Sequence, residues 1–94
     1  MNEARQSQDI VPCDSIEPIQ LKNERRTLSK VPEQSAFATF NNWARHEARH
    51  LCERGSCATG TCRGRVDVSD WHLVEESEEE FTCEFSAEFF CRCQ

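Results

Sequence analysis

The chain has 94 residues and seven cysteines, a length that accommodates one small domain whose limited core would benefit from metal ligands or disulfides. It is 37% hydrophobic but contains no apolar run near the 18 residues of a membrane span, and its first residues lack the pattern of a secretory signal, so we expect a cytoplasmic protein with reduced thiols and no membrane partner. The net charge of −6 divides into −1 for residues 1–34, +3 for 35–65 and −8 for 66–94, and this acidic end argues against a nucleic-acid partner.

The first third of the chain carries mixed signals. Residues 1–9 are polar and predict a flexible tail, so the single domain is expected to span residues 10–94. Two short stretches, Pro18–Leu21 and Arg25–Val31, flank the polar segment Lys22–Glu24. This arrangement predicts a small β-hairpin with its turn at the polar segment.

A helix is predicted next, because apolar residues recur at helical spacing between Ser35, a capping residue, and Gly55, a stop signal. The apolar positions expected to face the core are Phe37, Phe40, Ala44, Ala48 and Leu51. Other sides of the helix carry Trp43 and an edge formed by Arg45 and Arg49. The helix can therefore pack on a core and still present an aromatic and a basic surface.

A strand is predicted over Arg65–Glu75, in which Val66 and Val68 share one side while Trp71 and Leu73 share the other. This change of phase predicts a bulge or corner at Ser69–Asp70. The acidic run EESEEE at 75–80 follows. Like charges at this density stay solvated, so we expect an exposed turn there.

The last segment shows the clearest strand pattern, since apolar residues and cysteines occupy the odd positions from Phe81 to Cys93. A straight strand of this length would extend about 40 Å, so we expect a bend or break near Ser86–Ala87. These elements predict an α+β fold. One central amphipathic helix would pack on a β-hairpin or small antiparallel sheet, with a cysteine-rich, zinc-ribbon-like loop.

Cysteines at this density indicate a metal site, disulfides or redox chemistry. Zinc takes four thiolate or imidazole ligands, usually as two pairs from separate segments. Cys57 and Cys62 could form one pair and Cys91 and Cys93 the other, with Cys52 as a further candidate. We therefore expect a structural zinc ion that ties the loop at 52–62 to the strand end at 91–93. Cys83 is expected to pack among phenylalanines, and Cys13 stands apart.

Two motifs offer alternatives. The segment Cys52, Gly55, Ser56, Cys57 resembles the cluster loop of plant-type [2Fe–2S] ferredoxins. The resemblance implies an iron–sulfur cluster, with Cys91 or Cys93 as the fourth ligand. Cys62 follows Cys57 after four residues, whereas that family has two. The sequence HEARH at 46–50 has the H-E-x-x-H spacing of zinc peptidases, but its flanking arginines and the chain length argue against a catalytic zinc.

We therefore expect a small binding or adaptor protein, without enzymatic activity, that contains structural zinc and docks a partner protein through charged surfaces. Residues expected to contact the partner are Trp43, Arg45, Arg49, Glu75, Glu76, Glu78, Glu79 and Glu80. One alternative is a metal-free acidic inhibitor that imitates nucleic acid or covers a basic protein surface. Another is a [2Fe–2S] electron-transfer protein.

Overall fold

The computed structural model describes residues 9–94, so nearly all of the tail predicted at 1–9 lies outside the described residues. The described part contains one α-helix, five strands and a short 3-10 turn at Cys13–Ser15. In chain order the elements are β1 (Val11–Pro12), β2 (Ile19–Ser29), α1 (Ala36–Leu51), β3 (Gly55–Ser56), β4 (Cys62–Glu76) and β5 (Glu80–Cys93).

The main sheet is antiparallel, with β5 in the centre, β2 on one edge and β4 on the other. The two-residue strands β1 and β3 form a separate parallel pair. Helix α1 packs on one face of the sheet, which leaves the opposite face without a covering element in the described chain. The predicted α+β fold, with one helix on a small antiparallel sheet, is confirmed.

Helix α1 begins where the sequence predicts, because the Ser35 hydroxyl accepts a hydrogen bond from the Ala38 amide (3.1 Å) and satisfies a free N–H of the first turn. Along the predicted apolar stripe, Phe40, Ala44 and Ala48 are buried against the sheet. The two ends of the stripe are less covered: Leu51 is half-buried and Phe37 is 48% exposed.

Strand β5 supplies the other half of the core. Its alternation is confirmed, because the odd positions from Phe81 to Phe89 are buried beneath α1 while the even positions face away from the helix. Of the bend or break predicted near Ser86–Ala87, the break is wrong, since β5 is continuous and the molecule extends 47 Å along its longest axis. The irregularities lie in the neighbouring strands, where pairing shifts after Leu21 in β2 and after Ser69 and Leu73 in β4.

The shift in β4 confirms the bulge predicted at Ser69–Asp70. Asp70 adopts a positive φ of 58°, which Asp tolerates better than most residues. Pairing resumes at His72, and a second shift follows between Leu73 and Glu75. The extra residue changes the phase of the strand, so that Trp71 lies on the helix-covered face and contacts Phe40. Val66 and Val68 pack against the core on the same face.

The hairpin predicted at residues 18–31 is wrong, because Ile19–Ser29 is one strand. The polar segment expected to turn forms a bulge in which Asn23 has a φ of 49° and its amide donates to the Ser86 hydroxyl (3.1 Å). A bulge and a two-residue turn share the same polar residue preferences, so the local sequence does not distinguish them.

Candidate functional site

The cysteines converge at one end of the sheet. Among the described residues, six are paired as the disulfides Cys13–Cys62, Cys52–Cys91 and Cys57–Cys93, with Cα–Cα distances of 5.6, 5.8 and 5.9 Å. These distances are ordinary for disulfides. The bonds connect the segment before β2 to the start of β4, the end of α1 to β5, and the loop after α1 to the last residues of β5. We refer to this part of the molecule as the disulfide end.

This pairing does not support the zinc site or the zinc-ribbon-like loop predicted from the sequence. All five candidate ligands (Cys52, Cys57, Cys62, Cys91 and Cys93) are in disulfides, and zinc binds the free thiolate. Two of the bonds connect the loop at 52–62 to the strand end at 91–93, the connection that the sequence analysis assigned to a zinc ion. Cys13, which stands apart in the sequence, is the partner of Cys62.

Cys83 is the free cysteine, and it is buried in the core among the phenylalanines, as its position in the β5 alternation predicts. Burial raises the pKa of its thiol, and a hydrogen bond from the Trp71 side chain partly offsets that effect. The buried Trp71 indole N–H has no nitrogen or oxygen acceptor among the described residues. The thiol is therefore a packing group rather than a nucleophile.

Basic side chains from three segments surround the disulfide end. Arg45 and Arg49 extend from α1, Arg63 and Arg65 from β4, and Arg92 from β5. We call these five residues the arginine end. A groove of about 370 Å³ between α1 and β4 is lined by Arg45, Arg63 and Arg65, together with Asn41 and Gln94. Gly64 separates Arg63 from Arg65 in β4, and the backbone nitrogen of Arg49 lies next to this glycine.

The opposite end of the sheet is acidic. Strand β4 leads into the tight turn before β5, and Glu75, Glu76, Glu78, Glu79 and Glu80 are all exposed there. The Ser77 hydroxyl accepts hydrogen bonds from the amides of Glu79 (3.3 Å) and Glu80 (3.1 Å), which orders the turn. We call these five glutamates the acidic end.

An apolar patch adjoins the acidic end. Phe37 is 48% exposed and its ring stacks edge-on against Trp71, with the centroids 5.1 Å apart. Leu73, which is 39% exposed, lies two residues after Trp71 in β4 and pairs with Cys83 of β5. We call Phe37, Trp71 and Leu73 the apolar patch. It was not predicted from the sequence, which assigns Phe37 to the core.

The structure therefore divides the residues predicted to contact a partner. The two helix arginines lie at the arginine end, and the five glutamates form the acidic end. Trp43 belongs to neither: it is half-buried at the α1–β2 junction, 5.7 Å from Phe40 between ring centroids, and the Arg26 guanidinium lies 5.2 Å above its ring. Its main contacts are with the core.

Sequence reasoning did not join Arg63, Arg65 and Arg92 to the helix arginines. A signal was present, since the alternation of Arg63 and Arg65 around Gly64 places both side chains on one side of a strand. Their proximity to Arg92 follows from the β4–β5 register, which pairs Arg63 with Arg92.

The histidines of HEARH are exposed on the outer surface of α1, and His50 contacts Glu53 at 3.4 Å. In the described part of the chain, the side chains close enough to share an ion are all cysteines, in the groups Cys13, Cys57, Cys62 and Cys52, Cys62, Cys91. The three cysteines of the ferredoxin-like segment are bonded in three different disulfides.

A concavity of about 550 Å³ forms an open groove between the β2 bulge and the Ser69–Asp70 bulge, and residues such as Asn23, Ser69 and Ser86 line it. Within residues 9–94, no helix has the length and apolar character needed to cross a membrane. Comparison with protein-family models, curated proteins and solved structures finds no match to this chain.

Proposed function

We propose that this chain is a disulfide-stabilised binding module that docks a basic partner protein through the acidic end and the adjoining apolar patch. The observation that carries the proposal is the position of Phe37 and Leu73, two large exposed apolar side chains, beside a turn that carries five exposed glutamates. Protein interfaces commonly combine an apolar centre containing aromatic residues with a charged rim. The partner surface should therefore present apolar side chains flanked by lysine or arginine.

The disulfides support a module of this kind. Disulfides between distant segments stabilise a domain with a small core. Its surface residues are then available for contacts with a partner. Disulfides also persist in oxidising compartments, which favours such a compartment over the reducing cytoplasm expected from the sequence. The adaptor role expected from the sequence is thus retained, with disulfides in place of zinc.

The docking proposal can be tested with selected peptides. A random peptide library is panned on the immobilised, oxidised protein, and the dissociation constants of the enriched peptides are measured for the Phe37→Ser/Leu73→Ser variant. We expect the peptides to combine apolar residues with lysine or arginine, and the variant to bind them about thirtyfold more weakly, since two lost anchors cost about 1 kcal/mol each. Ile19→Ser, a change at a 45% exposed residue on β2, is the matched control.

The charged rim has its own variant. Glu78→Gln/Glu79→Gln should slow association and reduce its dependence on salt, whereas Glu17→Gln/Glu33→Gln, which removes the same charge elsewhere on the surface, should have little effect. Peptides that bind the apolar-patch variant as well as the wild type, or lack basic residues, would contradict the proposal.

A reduced, metal-bound form is a second candidate, favoured by the sulfur positions. The sulfurs of Cys13, Cys57 and Cys62 lie within 4.8 Å of one another, as do those of Cys52, Cys62 and Cys91. Thiolates this close could hold a soft metal ion such as zinc. Native mass spectrometry separates the candidates, because the oxidised chain lacks six hydrogens and carries no metal. Stoichiometric zinc or iron in protein purified without chelator would favour the metal-bound form.

A further inference from the structure

Among residues 9–94, the arginine end carries cations without carboxylate partners. Within residues 9–94, ion pairs join Arg25 and Arg26 of β2 to neighbouring glutamates, but none involves Arg45, Arg49, Arg63, Arg65 or Arg92. We propose that this end binds a sulfated polysaccharide, a linear polymer with closely spaced sulfate groups. The guanidinium group suits such a ligand because its planar array of donors matches tetrahedral oxyanions.

Two of these arginines, Arg63 and Arg92, are close neighbours of the same charge. Arg63 and Arg92 are directly opposite each other on neighbouring strands, so their side chains extend from the same face of the sheet. Like charges in this position are destabilising. A bound anion would convert this repulsion into two favourable contacts.

Side-chain contacts hold two of the sheet arginines in place. Arg65 donates a hydrogen bond to the Gln94 side-chain oxygen (3.0 Å), and the Arg92 guanidinium lies 5.7 Å above the Phe90 ring. Arg45 reaches the same groove from the helix side. Arg45, Arg63 and Arg65 thus line the groove at the outer edge of β4, and Arg92 lies beside Arg63 on the central strand. Cations spread over three elements fit an extended polymer with several anionic groups better than a single small anion.

The same contacts favour a polysaccharide over a nucleic acid. Proteins that bind single-stranded nucleic acid usually offer exposed aromatic faces on which bases stack. The aromatic ring next to these arginines, Phe90, is half-buried and already has Arg92 above it. Disulfides also favour an oxidising location, where a sulfated polymer of the cell exterior would be accessible.

The acidic end is too distant to oppose this interaction. Arg65 and Glu76 are separated by eleven residues of one strand, or about 35 Å, whereas charges are screened beyond about 8 Å at physiological ionic strength. The nearest acidic pair on the sheet, Asp67 and Glu88, is one rung beyond the Arg65–Phe90 pair on the same face and would form the boundary of the binding surface.

The experiment measures binding of a heparin octasaccharide to the oxidised protein by calorimetry at about 0.15 M salt. We expect Arg63→Gln/Arg92→Gln to weaken binding about tenfold or more. The control Arg25→Gln/Arg26→Gln removes the same charge from arginines already paired with glutamates, and should change binding less than about twofold. A second variant, Arg45→Gln/Arg49→Gln, alters only exposed helix positions and tests the surface independently of the sheet.

Each remaining outcome is decisive. Equal losses for the Arg63/Arg92 pair and the control pair would overturn the proposal, because net charge alone would then explain binding. Retained binding of desulfated heparin would overturn it as well. A single-stranded DNA octamer that binds as tightly, with the same arginine dependence, would show that the surface is for a phosphate polymer. Because these residues are separate from the apolar patch, failure here leaves the peptide-binding proposal unaffected.

Discussion

At the scale of single residues, burial decides the chemistry of Cys83. Its thiol is fully enclosed by phenylalanines beneath α1, and that enclosure raises its pKa because a thiolate would lose hydration. The folded pKa therefore exceeds that of the unfolded chain. The neutral thiol contributes its full stabilisation below the ordinary thiol pKa, and this contribution is lost as the pH rises through the folded value.

We predict that Cys83 resists alkylation while the protein is folded. At about pH 8, iodoacetamide should modify folded Cys83 at roughly one hundredth of the rate for the unfolded, disulfide-intact chain, or more slowly still. The reason is that reaction requires opening of the core. Mass spectrometry of time points gives both rates, and Cys83→Ala identifies the reacting thiol. Comparable rates with and without denaturant would show that the thiol is accessible.

At the scale of elements, one close contact sets the distance between α1 and β4. A Cβ added to Gly64 would overlap the Ala48 carbonyl and lie 2.7 Å from the Arg49 amide nitrogen. On the helix side, the small side chains of Ala44 and Ala48, both buried, also allow α1 to lie close to the sheet. This contact also positions the helix arginines beside those of β4.

We therefore predict that Gly64→Ala reduces the free energy of unfolding by about 1–3 kcal/mol, as expected when a methyl group is forced into a closely packed contact. Urea unfolding under non-reducing conditions, with the disulfides intact, measures the loss. Ser69→Ala, an exposed position on the same strand, is the control and should change stability by less than about 0.5 kcal/mol. A neutral or stabilising Gly64→Ala would contradict the close contact.

At the scale of the whole molecule, covalent bonds and apolar packing stabilise different regions. The disulfides cluster at one end, whereas the apolar patch and the acidic turn lie toward the other. In the chain-entropy model, each bond closes a loop of about 40 residues and contributes about 4 kcal/mol. That is a large share of the stability of a small domain.

Two of the disulfides allow a matched comparison. Cys52–Cys91 and Cys57–Cys93 span 39 and 36 residues, so their loop-closure contributions are nearly equal, but Cys52 is buried and Cys93 is exposed. We predict that Cys52→Ala/Cys91→Ala lowers the free energy of unfolding by about 4 kcal/mol or more, and Cys57→Ala/Cys93→Ala by less. Urea unfolding of both variants checks the order, and the reverse order would contradict the packing shown for the end of α1.

The local elements follow from the sequence alone. The cap at Ser35, the alternation of β5 and the bulge at Ser69–Asp70 are correctly predicted, because side-chain period and backbone preference act over a few residues. The burial of Cys83 follows from the same alternation. The polar segment at 22–24 is the exception, since its composition suits a bulge as well as a turn.

Only the tertiary structure decides which residues far apart in the sequence come into contact. Six cysteines allow fifteen pairings, and the selection of Cys13 for Cys62 depends on where the chain before β2 passes β4. The pairing of Arg63 with Arg92 follows from sheet register, and the position of Arg45 beside Arg63 follows from helix packing. Local periodicity fixes which face a side chain occupies, but packing of the whole chain determines which faces meet.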